Sequence, residues 1–289
     1  MAVLTAADLA ALHRLGRLSP EARRAVEGVL GGRHRSRRRG FAIEFAGHRE
    51  YQPGDDLRHL DWQVWARSDR YEIRQHDEES RLQVMVVCDV SGSLAYAGRD
   101  RRAKALAGAL AWLAAQRRDA VGMAAIGDGI RWLIPPGVGM GHLLRMLAAL
   151  DEEPCAGVCH LGRGLEALTA RLGRRGVVIA VSDALEEPAA IGGGLRLLRH
   201  RRQDVRLAVL RHADEEAFAL HGALTLVGLE GEGALQVDAD RVRGAYLAAV
   251  RRQRRALAGV CAQAQARLVW CRSDEDLAAQ VARCLEPGG

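Results

Sequence analysis

Two stretches of the chain carry residue types that could do chemistry together. Asp89-Val90-Ser91-Gly92-Ser93 follows the apolar run Val84-Met85-Val86-Val87-Cys88, and Ser182-Asp183 follows a second apolar run at 177–181. One carboxylate and two hydroxyls on a tight loop, with another carboxylate on a neighbouring loop, make an oxygen-only set suited to a hard divalent cation such as Mg2+. Hydroxyl ligands are neutral, so a bound ion keeps charge with which to attract a further carboxylate from outside. The plainer alternative is that Ser91 and Ser93 cap the following helix and Asp183 turns the chain. Both stretches stand at the carboxyl end of a strand, where ligands of open α/β sheets bind, and this favours the site.

The elements that would position these residues can be read from periodicity. Near-continuous apolar runs at 84–88, 121–126, 177–181, 205–210 and 268–271 predict strands buried on both faces. Helical patterns at 101–117, 142–150, 161–172, 189–200 and 241–266 alternate with them. The alternation indicates an α/β fold with a doubly wound, mostly parallel sheet. Two hairpins decorate it, one turning at Gly127-Asp128-Gly129 and one at Gly231-Glu232-Gly233. Ahead of this domain, Thr5 with Asp8 and then Ser19-Pro20 read as starts of two short helices, and Gly31-Gly32 as a stop. The expected organisation is an N-terminal helical hairpin and β accessory segment over 1–82, and the α/β domain over 83–289. Residues 41–80 mix charge with aromatics and hold few aliphatics, so they are not expected to form a core alone.

Composition removes several function classes. The chain has 289 residues, 48% hydrophobic and 27% charged, which excludes wholly disordered and fibrous classes. Its longest apolar stretch, 105–115, is too short to span a bilayer, and the first residues lack a signal-peptide layout, so a cytoplasmic location is expected. The net charge of +6 comes almost wholly from arginine, Lys104 being the only lysine. That implies a weak preference for acidic partners. A nucleic-acid reading rests on the run Arg33, Arg35, Arg37, Arg38 and Arg39, whose bland alternative is a solvated linker.

Among the six cysteines, Cys88, Cys261 and Cys271 read as core, while Cys155 and Cys159 beside His160 approach metal-ligand spacing without a second such pair. A P-loop is absent, since Lys104 sits in Arg-Ala-Lys-Ala. Ser91 stands where a haloacid-dehalogenase-type phosphatase needs a second aspartate, and it lacks the G-x-S-x-G elbow. Gly137-x-Gly139-x-Gly141 lacks dinucleotide spacing and reads as a loop. A divalent-metal-dependent hydrolase using Asp89 and Asp183 remains as a rival.

Asp-x-Ser-x-Ser after one apolar strand, with Ser-Asp after another, resembles the von Willebrand factor A domain and its metal-ion-dependent adhesion site. Glu44-Phe45, Arg49-x-Tyr51, Gly54-Asp55-Asp56, Arg58, Asp61-Trp62 and Ala66-Arg67 resemble more specifically the signature of a bacterial family catalogued as domain of unknown function number fifty-eight. The likeness continues through Leu161-Gly162-Arg163, Ser182-Asp183 and Asp238 to Tyr246.

The resemblance implies a non-enzymatic partner module that works with a MoxR-type AAA+ ATPase in chaperone-like assembly or activation of client proteins. Members often carry membrane helices; this chain resembles the short form without them. By the resemblance, Asp89, Ser91, Ser93 and Asp183 are the metal-site residues and should converge on one exposed face. The family's remaining threonine ligand aligns with Cys159, a poor magnesium ligand. Weak magnesium binding is therefore expected, with zinc preferred and Cys159→Thr tightening magnesium. Within the signature, Asp55, Asp56 and Asp61 interleave with Arg49 and Arg58, so the block either pins the accessory segment or forms a recognition surface.

Overall fold

The computed structural model describes residues 44–50, 65, 71–77 and 82–286. The chain divides into two compact units, of which residues 33–81 form the smaller. In that unit β1 (Glu44–Glu50) pairs antiparallel with β2 (Glu72–Asp77), with Glu44 opposite Asp77 and a bulge between Phe45 and Gly47. The rings of Trp65 and Tyr71 stack with centroids 6.1 Å apart. Of the signature, Glu44, Phe45 and Arg49 lie on β1. Tyr51, Gly54, Asp55, Asp56, Arg58, Asp61 and Trp62 fall outside the described residues, as do the arginine-rich run and the two expected N-terminal helices.

The larger unit is a six-stranded sheet with helices on both faces. In chain order it comprises β3 (Gln83–Asp89), a 3-10 turn (Gly92–Gly98), α1 (Arg99–Gln116), β4 (Ala120–Gly127), β5 (Gly129–Gly137), α2 (Met140–Glu152) and α3 (Leu161–Thr169). There follow β6 (Gly176–Ser182), α4 (Pro188–His200), β7 (Gln203–Arg211), α5 (Ala213–Ala217), the hairpin β8 (Ala223–Val227) and β9 (Ala234–Asp238), α6 (Ala239–Gln263), β10 (Arg267–Arg272) and α7 (Leu277–Leu285). The strand order is β10-β7-β6-β3-β4-β5, all parallel except β5. The expected doubly wound, mostly parallel architecture is therefore the one observed. The turn at Gly127-Asp128-Gly129 adds β5 to the main sheet rather than decorating it. Pro135 and Pro136 lie on this edge strand, where their missing N–H groups cost no ladder bond to a further strand. The last helix, α7, was not among the expected elements.

The strands are apolar on both faces because both are covered. Val84, Val86 and Cys88 point into one core with Met123, Ile179, Val181 and Leu210, beneath Leu106 and Leu110 of α1, Leu143 and Met146 of α2, and Val281 of α7. Met85 and Val87 alternate into the other core with Ile126, Ala180 and Leu207, beneath Leu165 of α3, Leu195 of α4 and Leu257 of α6. On that second face α3 and α4 cross closely: a Cβ on Gly162 would stand 2.4 Å from the Ala190 carbonyl oxygen, so only glycine permits the approach.

From β3 the chain crosses by α1 to β4 on one side, and from β6 it crosses by α4 to β7 on the other. The order in which strands are added thus reverses between β3 and β6. The carboxyl ends of the strands at such a switch point are the usual ligand position in sheets of this kind.

Candidate functional site at the carboxyl ends of β3 and β6

Register alone brings the two sequence motifs together. Cys88 pairs with Val181 across the parallel β3–β6 ladder, which sets Asp89 beside Ser182. Asp89 Oδ1 accepts the Ser91 N–H at 2.8 Å, and Oδ2 accepts the Ser182 hydroxyl at 2.5 Å. Ser182 Oγ in turn accepts the Ala184 N–H at 2.9 Å, so one hydroxyl closes the loop after β6 while holding the aspartate of β3. The hydroxyls of Ser91 and Ser93 lie 2.9 Å apart and bond to each other. Burial, followed by the charge of Asp183, pushes Asp89 up to about 6, despite the hydrogen bonds from Ser182 and Ser91 that oppose the rise.

The expected residues converge, but not on an exposed face. Asp89 and Ser91 are 1% exposed, Asp183 2% and Ser93 9%. The expectation of an open adhesion surface is corrected by two loops. Gly92 N–H donates to the Gly157 carbonyl at 2.8 Å, and Ala156 N–H donates to Val90 at 3.0 Å, which lays the segment before α3 along the Asp-x-Ser-x-Ser loop. The connection between β8 and β9 reaches the same loop from the other end of the chain. Glu230 accepts the Ser93 N–H at 3.2 Å, and a Cβ on Gly92 would stand 2.3 Å from the Leu229 carbonyl oxygen. Sequence reading located this hairpin but had no periodic signal for where its tip would land.

A basic residue that sequence reading passed over occupies the middle of the cluster. Arg99, the first residue of α1, is 2% exposed. Its guanidinium donates to the Ser93 carbonyl at 2.7 Å and to Glu215 at 2.9 Å, and lies 3.5 Å from the Asp183 carboxylate. Tyr96 lies with its ring centroid 5.8 Å from the same guanidinium. Glu215 is held in place because it also accepts the His212 N–H at 2.9 Å, closing the cap of α5. Arg211, at the end of β7, is 6% exposed, and desolvation lowers its pKa while Glu215 and Asp183 counter that effect. The signal for Arg99 was present: with Ala103, Leu106 and Leu110 it forms one buried helical stripe, so it faces inward from the first turn.

The donor set does not fit magnesium as arranged. Magnesium takes about six oxygens near octahedral geometry. Here each oxygen of Asp89 already accepts a hydrogen bond and the two serine hydroxyls bond to each other; Asp183 Oδ2 is buried without a hydrogen-bond partner, and the cation beside it, at 3.5 Å, is a guanidinium. Cys159 donates its thiol to the Ile126 carbonyl at 3.7 Å; burial first, and then neighbouring Asp89, hold that thiol far above the ordinary range, in its neutral form. His160, the neighbour that suggested a soft-metal site, lies 3.6 Å from Asp128 and 3.9 Å from Glu186 instead. Burial pushes the Cys155 thiol up to about 11. Among the described residues no three His, Cys, Asp or Glu side chains are grouped so as to hold a metal ion.

Around the buried polar groups the same loops carry apolar side chains into solvent. Tyr96 follows β3, Leu185 follows β6, Val158 precedes α3, and Leu229 sits at the hairpin tip; their exposures are 38, 51, 42 and 47%. Among the described residues no helix is long and apolar enough to cross a membrane.

Comparison with known proteins places this chain in a family. The chain is 30% identical over 198 residues to the uncharacterized proteins Rv1480 of Mycobacterium tuberculosis and Mb1516 of Mycobacterium bovis, over 66% of this chain and 62% of each relative. Among solved structures, it is 14% identical to the conserved hypothetical protein BatB from Bacteroides thetaiotaomicron, covering 70% of this chain and 94% of that one with a TM-score of 0.47. Against the SpRpn10 VWA domain the identity is 12%, the coverage 70% and 93%, and the TM-score 0.41. The family model described as "Protein of unknown function DUF58" matches residues 47–256, and the chain belongs to that family.

Proposed function

We propose that the carboxyl edge of the larger unit is a protein-docking platform, through which the chain acts as a non-enzymatic adaptor for a MoxR-type AAA+ ATPase in chaperone-like assembly or activation of client proteins. The observation that carries this reading is the group of exposed apolar side chains, Tyr96, Val158, Leu185 and Leu229, standing on loops tied to one buried polar floor. Exposed apolar side chains gathered in one place mark interaction sites. The floor fixes the loops in advance, which lowers the ordering cost that association must meet.

The hydrolase rival is opposed by the same geometry. Asp89 and Asp183 are 1% and 2% exposed and face protein groups, so a substrate has no approach to either carboxylate. A phosphatase and esterase screen with magnesium and manganese tests that rival directly.

The docking reading is tested by measuring binding to a MoxR-type ATPase from the same genome. Leu185→Asp combined with Leu229→Asp should weaken binding at least tenfold while leaving the circular dichroism spectrum and melting temperature near those of the parent. Unchanged binding by a folded double variant overturns the proposal.

A further inference from the structure

The misfit between the site and magnesium has a positive counterpart. The cluster holds the carboxylates Asp89, Asp183 and Glu215 and two guanidiniums, Arg99 and Arg211, with Glu230 at its edge on the Ser93 N–H; the aspartates and arginines are less than a tenth exposed. Buried carboxylates need opposite charge close by, because desolvation otherwise disfavours the ionised form. Two guanidiniums together carry the charge of one divalent ion. Arg99 also makes the contacts that an ion would be needed to make. It hydrogen-bonds the Asp-x-Ser-x-Ser loop through the Ser93 carbonyl and the segment after β7 through Glu215, and it faces the loop after β6 as an ion pair, 3.5 Å from Asp183 Oδ2, which accepts no hydrogen bond.

We infer that Arg99, supported by Arg211, is the built-in cation of this site, holding three strand-end loops together in place of a divalent metal. This rests on the reading of the cluster as the floor of the docking platform, and it adds what that reading leaves open: docking needs no metal and survives chelation. A guanidinium suits the task because its planar fork of donors reaches several acceptors at once and stays charged when buried. Bringing magnesium beside it would set a divalent ion against a fixed positive charge in a medium that screens poorly, so the arginine excludes the ion as well as replacing it.

The test needs no partner, so its outcome is independent of the ATPase binding measurement. Melting temperature and calorimetric titration are recorded with magnesium chloride at 10 mM and with EDTA, for the full chain and for Arg99→Met. The parent should melt at the same temperature in both solutions and show no saturable magnesium binding. Arg99→Met should be destabilised in EDTA, regain several degrees in magnesium, and show the saturable magnesium binding that the parent lacks. A folded Arg99→Met that gains nothing from magnesium overturns the inference, as does a parent that binds magnesium with micromolar affinity. Should Arg99→Met be unfolded in both solutions, Arg99→Lys decides: a folded variant indifferent to magnesium and EDTA supports the built-in cation, and one that requires magnesium overturns it.

Discussion

Ser182 on β6 donates its hydroxyl hydrogen to Asp89 on β3 at 2.5 Å, linking the two strands at the point where the strand order reverses. The bond is buried on both sides, so removing the donor leaves a buried carboxylate oxygen with one partner fewer. Ser182→Ala should cost about 1–3 kcal/mol. Urea denaturation measures it; a loss below about 0.5 kcal/mol, the size expected of an exposed hydrogen bond, would show that the link contributes little.

Asp89 gives a pH dependence whose direction is fixed by its raised pKa. Its folded value of about 6 lies above its ordinary 3.8, so its contribution to stability is present in full below about pH 4 and is lost as pH rises through 6. Asp89→Asn cannot ionise and escapes this loss. In chelator-treated buffer its stability relative to the parent should therefore increase between pH 4 and pH 7, by at most about 3 kcal/mol from the size of the shift. A relative stability that is flat, or falls, across that range contradicts the assignment.

Gly92 has no room for a side chain. A Cβ there meets the Leu229 carbonyl oxygen at 2.3 Å, and this neighbour is backbone, which cannot rotate aside. Gly92→Ala should displace the β8–β9 connection, costing about 1–3 kcal/mol as other overpacked positions do. Hydrogen exchange should show faster exchange at Ser93 and along residues 228–233, with the centre of the sheet unchanged.

Cys159 and Arg99 should be non-additive toward magnesium. The hydroxyl of Cys159→Thr supplies a harder ligand, yet the guanidinium beside Asp183 remains. Against the expectation from sequence that Cys159→Thr alone tightens magnesium, the single threonine variant should bind the ion no better than the parent while that guanidinium stays, and the double variant with Arg99→Met better than either single one. Calorimetry on the four proteins makes a cycle whose coupling term is the measurement; additivity would show that the two positions act separately.

Among the described residues, both hydrophobic cores are built from residues 82–285. A fragment of residues 82–289 should therefore fold cooperatively, whereas residues 33–81 alone should not. Calorimetric melting of each fragment tests this, and a cooperative transition in the short one contradicts it.

The legibility of the molecule in its sequence followed the strength of local signals. The strands at 84–88 and 177–181 were readable because parallel strands covered on both faces are apolar throughout, and the polar residues ending them were placed together by the same logic. Helix ends were less legible: α3 stops at Thr169 rather than continuing to residue 172, and α6 starts at Ala239. Arg99 escaped because it opens the run Arg99-Asp100-Arg101-Arg102, whose composition reads as a solvated helix start. Its position on the Ala103, Leu106 and Leu110 stripe was the stronger cue. Burial of the whole cluster was not legible, since it depends on contacts across more than a hundred residues, such as Glu230 with Ser93.

The hairpin that covers the site runs straight into the longest described helix. β9 ends at Asp238, and that same residue caps α6 by accepting the N–H groups of Asp240 and Arg241. No linker separates strand from helix, so the loop over Ser93 is continuous through β9 with α6, whose Leu257 and Cys261 are buried in the second core. The cover over the Asp-x-Ser-x-Ser loop is thereby moored through one helix to the packing on the second face of the sheet.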